Sequence, residues 1–274
     1  MSDEEQLAWE GRVGGWAGVA AFTASTLTAV GLVIQASALG KRPENERERL
    51  LNIDAHGSDF LIATTLQVAS VALIAFALYY LLRATLARRP ETPSFALGLV
   101  LLAPVLYGVG SIINDLSIVD IANRFVESNP RTVERAKDLR AELNVVGIAV
   151  GFGGALSLAL SFVLVSINAM RAGLLNGFTA ILGVAIGVLS IVPLLPGGVV
   201  VVQILWLGLL GLIVINRFPG GRGPAWATVE AIPWLPASRR GRQPAGRSAT
   251  GASARRAPDR PSSSGRKRKR KRRR

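Results

Sequence analysis

Cysteine is absent from the 274-residue sequence, and His56 is its single histidine. The lack of cysteine excludes a disulfide framework, a thiolate nucleophile and a cysteine-ligated metal. One histidine excludes the usual metal sites that are built from several histidines. The Walker A, HExxH and GxSxG patterns are also missing, so we recognise no phosphate loop, zinc-peptidase site or hydrolase nucleophile. We therefore expect neither a metal nor another cofactor.

Charge is missing from six long stretches of the chain. Each stretch lacks Asp, Glu, Lys and Arg over roughly the 20 residues that a helix needs to cross a bilayer. They are 13–40, 60–82, 92–114, 143–170, 172–196 and 197–216. Soluble core helices of that length ordinarily carry charge on their solvent side. The pattern predicts an all-α fold: a polytopic transmembrane bundle of about six spans over residues 13–216, after an acidic segment at 1–12. A count of five or seven stays open.

Two charged loops separate the spans, at 41–59 and 115–142. In the second loop, the apolar spacing along 116–126 predicts a short amphipathic helix that lies along an interface. Asn129 and Pro130 then predict the start of another helix through 131–143, with Asn129 as its N-cap. We expect both helices to rest on the bundle or on the lipid surface.

Basic residues are concentrated near the C-terminus. Residues 1–216 hold 14 Lys/Arg and 16 Asp/Glu, whereas residues 217–274 hold 18 Lys/Arg and 2 Asp/Glu. Moving positive charges outward opposes the membrane potential by roughly 2.3 kcal/mol per charge per 100 mV, so this segment decides the orientation. The sequence predicts a multi-pass protein of the cell membrane with the N-terminus and the C-terminus in the cytoplasm.

The segment 237–274 predicts a disordered polybasic cytoplasmic tail, because its composition cannot bury enough apolar surface to fold. It ends in nine consecutive cationic residues: Arg266, Lys267, Arg268, Lys269, Arg270, Lys271, Arg272, Arg273 and Arg274. These favour contact with anionic headgroups of the inner leaflet, at roughly 1 kcal/mol per nearby Lys or Arg. Contact with RNA, for instance a ribosome working at the membrane, is the alternative. The low complexity argues against sequence-specific recognition of DNA.

The segment 217–236 joins the last span to the tail. Its Trp226 and Trp234 suit the headgroup region of a membrane, where an indole is both buried and hydrogen-bonded. Its four prolines oppose a continuous helix. The segment therefore predicts an interfacial collar rather than a binding module.

Small residues recur at every fourth position in three spans, a spacing that lets helix backbones approach closely. The candidate packing residues are Gly147, Gly151, Ala155 and Ala159 in the fourth span, Gly183 and Gly187 in the fifth, and Gly14 and Gly18 in the first. Packing within the chain is the favoured interpretation. A homo-oligomer is the alternative.

Polar residues in the outer part of the third span form the candidate functional site. The candidate vestibule residues are Pro104, Tyr107, Asn114, Asp115, Asp120 and Asn123. They predict either a water-filled vestibule or an ordinary helix end at the membrane surface. The other strongly polar side chains within spans are Gln35, Gln67, Asn168, Asn176 and Gln203. No span carries an ionisable residue at its centre, which argues against a proton- or ion-coupled carrier.

The layout of spans resembles that of six-pass bacterial integral membrane proteins of unknown function. The leading hypothesis is a non-enzymatic membrane protein whose tail anchors to anionic lipid or recruits an acidic partner. The alternative is a transporter or channel for a small neutral or weakly polar solute, using the vestibule of the third span. The third hypothesis is an intramembrane enzyme built on Asp115 and Asp120.

A peptide of residues 237–274 tests which acidic partner the tail prefers. We expect it to bind vesicles that contain anionic lipid and to ignore neutral vesicles, because its affinity comes from charge. Replacing the nine terminal Lys/Arg residues with Gln should remove most of the binding in a vesicle co-sedimentation assay. Ribosome co-sedimentation of the intact protein at physiological salt, lost in the Gln variant, would instead favour RNA as the partner.

Overall fold

The computed structural model describes residues 2–39, 43–191, 198–219 and 221–234, and within these ranges it contains helices and no β-strand. The helices are α1 (Asp3–Leu39), α2 (Glu46–Ala55), α3 (Gly57–Arg88), α4 (Phe95–Glu127), α5 (Val133–Ala141), α6 (Val145–Arg171), α7 (Gly177–Ile191), α8 (Gly198–Val214) and a 3-10 helix at Pro224–Ala227. The predicted all-helical class is confirmed. The predicted disordered tail lies outside the described residues.

Four helices, α1, α3, α4 and α6, are long and apolar enough to cross a membrane. The last two predicted spans correspond to shorter apolar helices, α7 with 15 residues and α8 with 17 residues. At 1.5 Å per residue these two are about 22 and 26 Å long, somewhat less than the roughly 30 Å hydrocarbon core of a bilayer. The membrane-like character of the chain therefore rests on four long helices and one short helical pair.

Large apolar side chains are exposed along all six of these helices. Trp16 on α1 is 71% exposed and Ile181 on α7 is 66% exposed, for example. Soluble monomers rarely expose contiguous apolar surface of this extent. A lipid environment removes the difficulty, because these side chains would then contact acyl chains.

Successive apolar helices of the bundle pack against one another in an antiparallel manner. Helix α1 packs on α3 and α8, α4 packs on α6, and α7 packs on α6. Trp206, Tyr80 and Phe162 are among the largest fully buried side chains and belong to one core that α1, α3, α4, α6, α7 and α8 share. The Ser25 hydroxyl on α1 also donates to the Ile204 carbonyl on α8 at 3.1 Å. The chain therefore closes on itself, with its last helix beside its first.

Glycines set the distance between α4 and α6. A Cβ atom on Gly110 would collide with the backbone of Gly151, and one on Gly154 would collide with the backbone of Tyr107. Gly151 itself has room for a Cβ, because its nearest neighbour would be the Gly110 carbonyl carbon at 3.4 Å. The four-residue spacing thus identifies the right face of α6. The glycines that the contact requires are Gly110 and Gly154, which the spacing does not include.

Other predicted packing residues contact neighbouring helices of the same chain. Gly147 faces Ile113 of α4, where a Cβ would lie 2.8 Å from the Ile113 Cγ2 atom. Gly183 and Gly187 of α7 face α6. A Cβ on Gly183 would collide with the Ser166 side chain, and one on Gly187 would collide with the Ala159 carbonyl oxygen. Ala155 lies half-buried on α6. These residues are used for packing within one chain.

The charged loops differ from their predicted form. Residues 116–126 are not a separate interfacial helix: they continue α4 without a break to Glu127. The N-cap of α5 is Thr132, whose side chain accepts a hydrogen bond from the Arg135 amide, and not Asn129. The first loop, in which the sequence predicts no helix, contains α2, and Asn45 is the N-cap of that helix.

The apolar faces of α2, α5 and the end of α4 pack against one another. Their buried side chains are Leu50, Ile53, Ile121, Ala122, Phe125, Ala136 and Leu139, which we call the α2–α5 cluster. Arg140 of α5 pairs with Glu46 of α2, and Arg124 of α4 pairs with Glu142 at 2.9 Å. These amphipathic faces therefore bury their apolar side chains in a small protein core, where the sequence predicted the bundle or lipid surface. This cluster marks one end of the bundle.

A buried ion pair marks the other end. Arg88, at the end of α3, donates from Nη1 and Nη2 to the two carboxylate oxygens of Glu10 on α1, at 2.6 and 2.9 Å. The side chains of Arg88 and Glu10 are 0% and 5% exposed. Arg88 Nε donates to the Ala225 carbonyl at 3.0 Å, and Gln6 donates to the Glu10 carboxylate at 2.8 Å. Bidentate contact of this kind is the strongest geometry for an arginine–carboxylate pair.

Trp226 belongs to this ion-pair end rather than to a lipid surface. It is 8% exposed, stacks on Tyr80 with 6.2 Å between ring centroids, and donates from Nε1 to the Leu174 carbonyl at 3.0 Å. Arg222 lies 5.0 Å from the Trp226 ring and donates to the Ile213 carbonyl. Burial lowers the pKa of the Arg222 guanidinium from its ordinary value. Protein atoms therefore surround Trp226, and its depth at a headgroup region stays a prediction.

Gly154→Ala and Gly153→Ala form a matched pair that tests the α4–α6 contact. Alanine at 154 must push the Tyr107 backbone away, and overpacking of this kind typically costs about 1–3 kcal/mol. Alanine at 153 meets only the Leu106 Cδ1 atom at 3.8 Å and improves helix propensity. We expect a lower thermal unfolding midpoint in detergent for Gly154→Ala and an unchanged or higher one for Gly153→Ala. Equal midpoints would contradict the close approach.

Candidate functional site

A cavity of about 400 Å³ lies between α1, α3, α4 and α6, and the end of α7 and the start of α8 complete its wall. Its polar lining residues are Thr28, Gln35, Gln67, Ser70, Tyr107, Ser190 and Gln203. Its apolar lining residues are Leu32, Val71, Ala155, Leu158, Ala159, Phe162 and Val200. None of these described lining residues carries a charge. The cavity is therefore a neutral, amphipathic site inside the bundle.

Part of the polar lining is already hydrogen-bonded between helices α1 and α3. The hydroxyls of Thr28 and Ser70 are 2.6 Å apart, and Ser70 also donates to the Ala24 carbonyl at 2.9 Å. Nearer the ends of these helices, Gln67 Nε2 donates to Gln35 Oε1 at 3.1 Å. Such hydrogen bonds satisfy polar side chains that would otherwise be unpaired among the apolar side chains of the bundle. They also fix the orientation of the two glutamine side chains.

The cavity occupies the half of the bundle nearer the α2–α5 cluster. Gln35 lies near the end of α1, and Ser190 lies near the end of α7. Toward the ion-pair end, Phe162 packs edge-on against Trp206, with 5.1 Å between ring centroids. Trp206 is fully buried and donates from Nε1 to the Thr179 carbonyl at 2.8 Å. Packed aromatic side chains therefore form the floor of the cavity.

The predicted vestibule residues do not share one cavity. Tyr107 lines the central cavity, and Tyr107 and Asn114 together line a second, shallower pocket of about 270 Å³ between α4 and α6, whereas the other four line neither space. The Asp115 carboxylate accepts hydrogen bonds from Thr64 of α3 at 2.6 Å and from Asn114 at 2.8 Å. Asp115 thus ties α4 to α3, and its bonds are made within the protein.

The other three vestibule residues lie elsewhere on α4. Pro104 is inside the helix and half-buried, and α4 remains one continuous helix around it. Asp120 is exposed and pairs with Arg124 at 3.1 Å, and Asn123 is exposed as well. The structure therefore brings Tyr107, but not Asp115, Asp120 or Asn123, to the wall of the central cavity.

Three of the polar residues that the sequence showed within spans converge on the cavity. Gln35, Gln67 and Gln203 come from α1, α3 and α8 and line the same space. The other two serve their own helices: Asn168 donates to the Leu164 carbonyl at 2.8 Å, and Asn176 accepts from the Thr179 amide at 2.9 Å. The sequence shows these glutamines as polar residues within apolar spans, but it does not show which spans pack against each other. Only the fold distinguishes the two groups.

No protein-family model matches the chain, and no curated protein or solved structure is significantly similar to it. Among the described residues, no three imidazole or carboxylate side chains converge as a metal site would require. The chemistry of the cavity itself is hydrogen bonding by neutral amides and hydroxyls beside an apolar wall. Such a site can hold a neutral molecule without forming or breaking a bond.

Proposed function

We propose that the chain is a non-enzymatic, multi-pass protein of the cell membrane that binds a small, neutral, weakly polar solute in the central cavity. The observation that carries the proposal is the uncharged lining of a cavity of about 400 Å³. Ligand sites are typically clefts of about 300–1,000 Å³ with mostly apolar walls and a few polar groups. A charged solute would lose its hydration there without gaining a counter-charge.

Passage of that solute through the membrane is the second candidate function. The cavity lies among four helices with the length of membrane spans, which favours a transporter. The packed floor at Phe162 and Trp206 favours binding over an open channel, because a channel needs a continuous path. A transporter would have to separate this packing during its cycle.

Six crossings with both termini in the cytoplasm are the proposed topology. The support is the contact of Arg88 with Glu10 and with the Ala225 carbonyl, which favours an even number of crossings between residues 10 and 225. Helices α7 and α8 form an antiparallel pair, so the count is even whether they cross fully or turn back within the membrane. The apolar sequence extends past both helices, to 172–196 and 197–216, which favours full crossing.

The basic residues after position 216 support the proposed orientation, and they suggest a second binding activity. Cytoplasmic placement of the 18 Lys/Arg residues after position 216 follows the usual distribution of basic residues. We propose that the terminal cluster 266–274 holds the tail on anionic headgroups of the inner leaflet, or recruits an acidic partner there. In this orientation the cavity lies in the outer half of the membrane.

Cysteine labelling at Gln203 tests the cavity and its orientation together. The chain has no native cysteine, so each engineered one is read without background. Gln203 lines the cavity, whereas Val201 on the same helix is 63% exposed on the surface that would contact lipid. We expect Gln203→Cys to react with a membrane-impermeant maleimide added outside intact cells and Val201→Cys to stay unlabelled.

Two results would contradict the proposal. Labelling of Gln203→Cys only from the cytoplasmic face would reverse the orientation. Failure of Gln203→Cys to react from either face would mean that water does not reach the cavity. A permeant maleimide on denatured protein is the control that both cysteines are present and reactive.

A further inference from the structure

The three glutamines of the cavity wall offer more hydrogen-bonding capacity than the protein uses. The bond from Gln67 to Gln35 uses one N–H of Gln67 and the carbonyl oxygen of Gln35. It leaves the Gln67 oxygen as an acceptor and the Gln35 NH2 group as a donor. The pair therefore still presents both kinds of group.

Gln203 presents an entire carboxamide. No group in the described part of the chain donates to it or accepts from it, although it is half-buried and lines the cavity. Water hydrates this carboxamide when the cavity is empty, and an occupant that displaces the water must replace its hydrogen bonds or lose affinity. By contrast, Thr28, Ser70 and Ser190 all have partners within the protein. Gln203 is thus the lining glutamine whose whole carboxamide is left for an occupant, in addition to the free groups of the Gln35–Gln67 pair.

The rest of the wall defines the body of that occupant. Leu32, Val71, Leu158, Phe162 and Val200 present apolar surface to the same space. A fully polar solute would leave this surface wetted, and a pure hydrocarbon would leave the carboxamides unpaired. An ion or a zwitterion would be desolvated without compensation, because no described lining residue is charged. The chemistry that remains is a neutral molecule with an apolar body and one polar end.

We propose that the occupant is a neutral, largely apolar molecule that carries a carboxamide, or an equivalent adjacent carbonyl and N–H group. This inference rests on the proposed binding function and narrows its ligand class. An amide ligand and Gln203 satisfy each other reciprocally, because each contributes one donor and one acceptor in a single plane. Its apolar body lies against the wall that includes Phe162 and Leu158. Gln203 is the residue that selects the polar group.

A series of three probes of equal size tests the ligand class. The probes are biphenyl-4-carboxamide, biphenyl-4-carboxylate and 4-isopropylbiphenyl, which differ only in the three-heavy-atom group at one end. Purified full-length protein in nanodiscs of neutral lipid is incubated with radiolabelled carboxamide, and each unlabelled probe is used as competitor. We expect saturable binding of the carboxamide and at least about tenfold weaker competition by the carboxylate and the hydrocarbon.

Gln203→Leu and Val201→Leu give the matched variants. Removing the carboxamide should weaken binding of biphenyl-4-carboxamide by about tenfold or more, since an unpaired buried amide on the ligand replaces a paired one. The variant Val201→Leu, two residues away on the exposed face, should bind as the unaltered protein does. Elution as a single peak in detergent checks that each variant folds.

Each contrary outcome has a separate meaning. Equal competition by the hydrocarbon, or unchanged affinity in Gln203→Leu, would overturn the carboxamide class and leave binding in the cavity standing. Tightest binding of the carboxylate would overturn both the ligand class and the neutral-solute proposal. Lack of saturable binding of every probe would overturn the ligand class, while labelling of Gln203→Cys reports independently on whether the cavity is open. The probe series on the unaltered protein still tests the ligand class if Gln203→Leu does not fold.

Discussion

The buried pair of Glu10 and Arg88 joins the beginning, the middle and the end of the described chain. Glu10 lies in the first helix, Arg88 ends the third, and the Arg88 Nε atom reaches the Ala225 carbonyl beyond the last. Removal of one partner from such a pair leaves a buried charge and typically costs about 3–5 kcal/mol. The contact therefore holds residues 10, 88 and 225 at one end of the bundle, and it supports the proposed even number of crossings.

With that end fixed, the remainder of the bundle is free of buried charge pairs wherever it is described, and small or neutral groups organise it. Gly110 and Gly154 bring α4 against α6, and a glutamine pair and a hydroxyl pair link α1 to α3. Neutral hydrogen bonds suit an apolar environment because they need no counter-charge. The cavity is the place where these neutral groups are not fully used.

Charge-free length was enough to predict a helical membrane protein, but helix ends were harder to locate. The predicted spans stop at Arg12 and Arg83, but α1 begins at Asp3 and α3 extends to Arg88. Arg83 lies 5.9 Å from the Trp9 ring on α1, and Glu10 and Arg88 neutralise each other inside the bundle. Helix α4 runs past Asp115 because Thr64 satisfies that carboxylate. A rule that ends a span at the first charge cannot see a partner on another helix. The same reason hid the cavity, since the three glutamines are far apart in sequence and meet only through the fold.

Sided labelling at the two chain ends tests the central claim most directly. Ser2 and Glu230 are exposed, and Ser2 shares a surface pocket with Val229, so the two positions lie at the same end of the bundle. Ser2→Cys and Glu230→Cys, each alone in a chain without native cysteine, are treated with an impermeant maleimide in right-side-out and inside-out vesicles. The account predicts that both react in inside-out vesicles and that neither reacts in right-side-out vesicles. Reaction of the two positions from opposite faces would contradict it, because an odd number of crossings would then separate residues that the ion pair holds together.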